Sequence, residues 1–115
     1  MGNRYDVGLA IKQQALTNII DNPENSNDIQ KCFEDVEIHA KSNNGNHMFI
    51  WTSTKWNESY EDVAALMRGL SSLDESNFLL TIVGINAQVI GGWYDNDFSL
   101  SHVCNLIYDE DMINE

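Results

Sequence analysis

The sequence predicts an α+β fold in one domain, residues 1–115, with an antiparallel-rich sheet of 5–6 strands and two or three helices packed on one face. Three observations support this prediction. A chain of 115 residues is close to the commonest domain length. Short apolar or alternating segments lie between turn-forming residues, which indicates hairpins. Amphipathic segments with helical spacing occur at irregular intervals between them, so helices and strands do not simply alternate.

The N-terminal third predicts one strand and two short helices. Residues 4–12 alternate between apolar and smaller or polar side chains, which predicts a half-buried strand. The helical spacing of Leu16, Ile19 and Ile20 predicts a helix that ends at Asn22-Pro23, because the residue before proline avoids the helical region. A second short helix is expected after the polar loop. Its candidate caps are Ser26 and Asn27, and its apolar face is Ile29, Cys32 and Phe33.

The middle of the chain predicts a hairpin followed by a longer helix. Residues 36–41 alternate, and residues 48–54 form the second arm. Between them, residues 43–46 offer the positive backbone angles of a tight primed turn. Ser59 is the expected cap of the helix, and Glu61 and Asp62 suit the positive end of its dipole. The apolar face of this helix consists of Val63, Leu66, Met67, Leu70 and Leu73.

The C-terminal third contains the most apolar strand. Residues 78–83 are apolar at five of six positions, which predicts a strand buried on both faces. Gly84 and Asn86 permit a turn before residues 87–92, so a second hairpin is expected. Residues 93–97 form an aromatic and acidic loop. The later apolar positions fit either a strand or a helix, and their β-branched content favours a strand; these positions are Leu100, Val103, Leu106 and Ile107.

Negative charge dominates the composition. The formal net charge is −12 and the pI is about 4.3. The last 47 residues hold eight Asp and Glu residues and no Lys or Arg. This field repels nucleic-acid backbones and anionic membranes and attracts basic surfaces. We therefore expect a basic protein as partner, with no direct binding to nucleic acid or membrane.

No signal-peptide pattern and no apolar run of membrane-spanning length occurs, so a soluble, cytoplasmic protein is expected. The two cysteines, Cys32 and Cys104, are 72 positions apart without a second pair, which favours two reduced core thiols.

No catalytic or metal-binding constellation is evident. The three histidines, His39, His47 and His102, lack the spacing of a metal motif, although His39 and His47 face each other across the predicted hairpin. A pairing of His102 with Cys104 on one strand is an awkward arrangement for nucleophilic catalysis. The sequence therefore predicts neither a catalytic residue, nor a metal, nor a cofactor.

A binding surface is better supported. Trp93 and Tyr94 are followed at once by Asp95 and Asp97, and aromatic anchors surrounded by charge are typical of protein interfaces. The tail, residues 109–115, is either a frayed acidic end or a contact for a basic groove. The predicted partner-binding residues are Trp93, Tyr94, Asp95, Asp97, Asp109, Glu110 and Asp111. Trp93 closing the core, with solvated acids around it, is the alternative interpretation.

Scattered short segments resemble a group of small acidic proteins encoded by bacteriophages. These segments are Tyr5-Asp6-Val7-Gly8-Leu9-Ala10-Ile11-Lys12, Lys55-Trp56, Tyr60-Glu61-Asp62-Val63 with a helix behind it, Phe78 and Val83-Gly84. In that group, members with an assigned activity tend to inhibit host defence, as anti-CRISPR or anti-restriction proteins, and several present a DNA-like run of carboxylates to a nuclease. This sequence has Ile85-Asn86-Ala87-Gln88 where the group is acidic, and no functional residue carries over.

The leading hypothesis is thus a non-catalytic inhibitor that binds a basic nucleic-acid-handling protein, with mimicry of nucleic acid as one mechanism. The alternative is an immunity protein that neutralises a nuclease toxin, which would rely on the same attraction between an acidic protein and a basic partner. A small enzyme or ligand-binding domain with its site under Trp51 and the hairpin is the hypothesis from a different class.

Overall fold

The computed structural model describes residues 4–102 and 106–110. The elements in chain order are β1 (Tyr5–Ile11), α1 (Gln13–Ile20), α2 (Ser26–Glu34), β2 (Ile38–Lys41), β3 (His47–Thr54), α3 (Glu61–Ser71), a short 3-10 helix (Glu75–Asn77), β4 (Phe78–Val83), β5 (Ala87–Gly91), β6 (Ser101–His102) and β7 (Leu106–Ile107). Within these residues, no helix is long and apolar enough to cross a membrane.

Five strands form one antiparallel sheet in the order β2-β3-β1-β4-β5. The first strand is therefore central, and the two hairpins flank it on either side. The short strands β6 and β7 pair separately. The predicted α+β class, with its antiparallel sheet and helices on one face, is confirmed.

The three helices cover one face of the sheet. Val7, Leu9 and Ile11 point to this face from β1 because alternate residues of a strand share a side. The apolar stripes of the helices pack on them and on the matching residues of β3 and β4. The buried helical residues are Ala15, Leu16, Ile19, Ile29, Cys32, Ala65, Leu66 and Leu70.

The other face of the sheet is covered by the C-terminal segment that follows β5. Phe98 and Leu100 are completely or almost completely buried there, and Trp93 joins them. The strands present small residues beneath this segment, among them Gly8 and Ala10 of β1. The prediction that β1 is half buried was therefore wrong: residues 7–11 are all buried because both faces are covered.

One buried asparagine fixes the fold of the covering segment. The Asn96 side-chain amide donates to the carbonyls of Trp93 and Leu100, at 3.2 and 3.1 Å. Its oxygen accepts from the backbone N–H groups of Phe98 and Leu100, at 3.2 and 2.8 Å. A segment without regular structure leaves backbone polar groups unpaired, and this single side chain pairs four of them.

Several local predictions are corrected by the structure. Helix α3 begins after Tyr60, not Ser59, and has no side-chain cap; the Asp62 carboxylate instead accepts from the N–H of Val63. Helix α2 begins at Ser26 itself. The loop between β2 and β3 spans residues 42–46, and only Gly45 has a positive φ, so it is not a two-residue primed turn. Beyond Leu100, by contrast, the preference for a strand is confirmed by the short strands β6 and β7, and Val103 lies outside the described residues.

Substituting Gly8 tests the close approach on the second face. A Cβ at this position would lie 2.9 Å from the Leu100 side chain and 3.2 Å from both Ile50 and Thr81. We expect Gly8→Val to lower the free energy of unfolding by about 1–3 kcal/mol, because the covering segment must move outward. Urea unfolding measures this change. The control is Gly92→Ala, whose Cβ meets atoms no closer than 3.5 Å; equal losses in the two variants would contradict the steric explanation.

Candidate functional site

The two aromatic residues of the predicted site have opposite surroundings. Trp93 is only 6% exposed and belongs to the second core cluster, whereas Tyr94 is 72% exposed. The backbone N–H of Trp93 donates to the Phe78 carbonyl at 3.1 Å, which holds the loop against the start of β4. Tyr94 is therefore the aromatic side chain that a partner can reach, and Trp93 anchors the loop beneath it.

The two carboxylates of this loop also differ. Asp95 is exposed. One oxygen of Asp97 accepts hydrogen bonds from Ser42, Asn46 and Asn44, at 2.7, 2.8 and 3.3 Å. Partial burial raises the pKa of Asp97, but these bonds, with a smaller effect of nearby Lys12, outweigh it and hold the pKa below its usual value. Asp97 thus joins the loop to the β2–β3 turn while it keeps its negative charge.

Two further acids lie beside this loop, and the sequence analysis did not assign them to the site. The Gly92 N–H donates to the Glu75 carbonyl at 2.7 Å, which places the exposed residues Asp74 and Glu75 next to residues 92–94. Hydrogen bonds from Ser76 lower the pKa of Asp74, so it is ionised at neutral pH. The β4–β5 hairpin was the available signal, because its register brings residues 75 and 92 to the same end of the sheet.

A single lysine lies among these acids. The Lys12 ammonium is 5.5 Å from the centre of the Trp93 ring, within the range of a cation–π contact. The same charge helps to lower the pKa of both Asp74 and Asp97. Lys12 therefore offsets part of the local repulsion and shows that the two carboxylates share one region of the surface.

The start of the acidic tail meets the end of this loop. The Asp109 N–H donates to the Phe98 carbonyl at 2.6 Å. Burial raises the pKa of the neighbouring Tyr108, with further contributions from the carboxylates of Glu110, Asp6 and Glu37. The backbone of Asp109 thus lies beside the loop, and Tyr108 lies within the influence of acids on β1 and before β2. Asp111 lies outside the described residues.

Backbone contacts thus link most of the predicted residues: residues 93–97 form one loop, and Asp109 meets the end of this loop at Phe98. We define the acidic surface as Asp74, Glu75, Tyr94, Asp95, Asp97, Asp109 and Glu110. Trp93 supports it from below. Its exposed part offers carboxylates and one phenol, which bind cationic groups.

His39 and His47 form a direct pair across the β2–β3 hairpin. His39 Nε2 and His47 Nδ1 are 2.8 Å apart. The centres of the two imidazole rings are 5.1 Å apart, and the ring planes differ by 21°. The distance between the centres equals the distance between the two nitrogens plus the radius of each ring. The two nitrogens therefore lie on the line between the rings, as in an N–H···N hydrogen bond. Within residues 4–102 and 106–110, no group of three or more His, Cys, Asp or Glu residues is placed to hold a metal ion.

A cavity of about 260 Å³ corresponds to the predicted alternative site under Trp51. Its walls include Trp56, Tyr60 and the buried Cys32. Burial, with the nearby carboxylates of Asp62 and Asp35, raises the pKa of the Cys32 thiol to about 12. The thiol is therefore protonated at neutral pH and is a poor nucleophile. Cys104, the thiol that the sequence analysis paired with His102, lies outside the described residues.

Comparisons with known proteins identify no relative: no family model matches the chain, and no curated protein or solved structure is significantly similar to it.

The role of Asp97 is testable by stability measurements. We expect Asp97→Ala to lower the free energy of unfolding by about 1–3 kcal/mol, because three donors of the β2–β3 loop lose their shared acceptor. Asp95→Ala removes the same charge from an exposed position and is expected to change stability by less than about 0.5 kcal/mol. Urea unfolding measures the change in the free energy of unfolding for both variants. Equal effects would mean that Asp97 contributes charge alone.

The histidine pair predicts a dependence of stability on pH. Burial lowers the pKa of both imidazoles below 6.5, with further contributions from Lys41 and, for His47, from His39. A lowered folded-state pKa means that the unfolded chain binds protons more readily. This contribution is present above about pH 6.5 and is lost as the pH falls through the folded-state values.

We therefore expect the wild type to lose more stability between about pH 8 and pH 5 than the double variant His39→Gln/His47→Gln does. Urea unfolding across this range measures the difference between the two proteins. Comparing them cancels the titration of the many carboxylates, which both share. Parallel pH profiles would contradict the prediction.

Proposed function

We propose that this protein is a non-catalytic inhibitor that binds a basic, nucleic-acid-handling protein of a host defence system, of the anti-CRISPR or anti-restriction type. The observation that carries the proposal is the meeting of the two acidic segments, where the Asp109 N–H bonds to the Phe98 carbonyl. The bond brings the start of the tail to the residue that follows Asp97. Separate carboxylates on opposite sides would favour a role in solubility instead.

Electrostatics supports a basic partner. The net charge of −12 gives a field that raises the association rate with a cationic surface and disfavours acidic partners. The acidic surface concentrates this field beside the loop that follows β5. Hydrogen bonds lower the pKa of Asp74, and hydrogen bonds outweigh partial burial to lower the pKa of Asp97, so these two carboxylates remain ionised at neutral pH.

Tyr94 supplies the anchor of the proposed interface. It is a large, exposed aromatic side chain on a loop that Asn96 and Asp97 hold in place through hydrogen bonds. A preorganised aromatic residue loses little conformational entropy on binding, and such residues carry much of the energy of protein interfaces. We assign affinity mainly to Tyr94 and approach and orientation mainly to the surrounding carboxylates.

Competition with nucleic acid is the mechanism that this arrangement favours. Carboxylates held on a rigid surface resemble a row of phosphates to a cationic groove, and they would occupy the groove that otherwise binds the phosphate backbone. The assignment to host defence rests on the resemblance to bacteriophage proteins. An immunity protein against a nuclease toxin would use the same surface, and neighbouring genes distinguish the two settings.

Capture from a host lysate at low and high salt tests the proposal. We expect the wild type to retain a protein with a basic nucleic-acid channel, and retention to fall steeply with salt. The double variant Tyr94→Ala/Asp95→Lys is expected to reduce retention at least about tenfold. Adding a nucleic-acid duplex to the retained complex should release the inhibitor.

The control is Tyr60→Ala/Glu24→Lys, which makes the same two changes at exposed positions away from the acidic surface. It equals the test variant in net charge, so a general loss of negative charge would affect both variants alike. Release of the partner by duplex supports competition. A complex that survives high salt and both double variants would contradict the assigned surface.

A further inference from the structure

Strand β5 forms an edge of the main sheet. Its inner side pairs with β4, from Leu79 opposite Gly91 to Val83 opposite Ala87. No described strand lies beyond it in the sheet order. An edge strand presents unpaired N–H and C=O groups, and these can extend the sheet by pairing with another strand.

This edge lacks the usual protection against pairing. Natural edge strands are typically guarded by charges, proline or a covering element. From Ser76 to Tyr94 the chain contains no Asp, Glu, Lys, Arg, His or Pro. The opposite edge, β2, differs: it has only four residues, it includes His39 and Lys41, and Glu37 precedes it. In a chain with a net charge of −12, the neutrality of β5 stands out from the rest of the surface.

Apolar surface continues along the same edge. Ile85, at the tip of the β4–β5 hairpin, is 91% exposed. On the helix-covered face, a cavity of about 260 Å³ lies beside Gln88 and Ile90, and one acid borders it; its further lining is Tyr5, Trp56, Asn57, Glu58, Met67 and Ile82. The helices do not fill this space. Side chains from an added strand would lie next to it.

We infer that β5 pairs with β5 of a second copy of this chain, antiparallel and about a twofold axis. In this twofold arrangement the same strand edge forms both sides of the interface, so the edge is complementary to itself. Charge selects the second copy as the occupant. A basic partner gains nothing from a neutral strand, whereas two acidic copies can approach each other most closely along the uncharged stretch from Ser76 to Tyr94.

The twofold arrangement also separates the acidic surfaces. With the axis perpendicular to the sheet near Val89, Gln88 of each copy lies opposite Ile90 of the other, on the side of the cavity. Ile85 of one copy then comes level with residues 92–93 of the other. Antiparallel pairing thus places the acidic end of one copy beside the hairpin tip of the other.

One cation, Arg4, lies at the hairpin tip. Arg4 lines a cavity with Ile85 and Asn86, so it lies near the approaching acidic end of the second copy. Asp6 is also at this end, where its carboxylate accepts the N–H of Ser53 at 2.9 Å, so the tip carries charges of both signs. In this arrangement the acidic ends of the two copies lie at opposite ends of the paired strands.

Light scattering after size exclusion tests the pairing. We expect the wild type to approach the mass of two 13.0 kDa chains as its concentration rises from micromolar to near millimolar. Gln88→Lys and Gln88→Glu each put like charges close to the axis and should raise the dissociation constant at least about tenfold. Mixing these two variants in equal amounts should restore the pair, because opposite charges then meet.

The control is Gln30→Lys, which makes the same substitution at an exposed position of α2 and should pair like the wild type. A wild type that stays monomeric over the whole range would overturn the inference, as would a charged variant at Gln88 that pairs unchanged. Neither result would affect the salt-dependent capture through the acidic surface, which does not require β5.

Discussion

The close approach of the C-terminal segment to the sheet is the constraint on which the rest of the structure depends. A five-stranded sheet with helices on one face leaves its other face exposed. Here that face is apolar, and Phe98, Leu100 and Trp93 bury it. They reach it because Gly8 and Ala10 leave room above the central strand. The covering segment is irregular, so its backbone needs polar partners, and Asn96 supplies them.

The same constraint places the functional groups. Once Trp93 and Phe98 are fixed on the sheet, the residues between them must project outward, so Tyr94 and Asp95 are exposed. Asp97 turns back to the β2–β3 loop and holds it. The Asp97 carboxylate thus holds the loop and also contributes negative charge to the surface, because its hydrogen bonds favour the ionised form. Its neighbours are then displayed from a loop that hydrogen bonds hold in place.

The sequence predicted the regular elements well and the covering segment poorly, for a physical reason. Strands and amphipathic helices have characteristic hydrophobic periods, so the two hairpins and the amphipathic helices were recognised. The first hairpin also predicted that His39 and His47 face each other. Residues 93–100 have no period. Nothing local distinguishes buried Trp93 from exposed Tyr94, since both follow a glycine pair and precede acids. Their difference arises from contacts with Phe78 and the second core cluster, which are distant in sequence. For the same reason, the contribution of Asp74 and Glu75 required the register of β4 with β5.

The distribution of charge argues against solubility as its sole purpose. If the acids served solubility alone, we would expect them where the chain aggregates most easily. An unpaired sheet edge is such a place. Strand β5 carries none, whereas the loop after it and the 3-10 helix beside it carry several. On the two proposals, the acids form a surface that attracts a cationic partner, and the neutral edge is where two copies of the chain pair. The two proposals are compatible, because the pairing would use β5 and the capture would use the acidic surface.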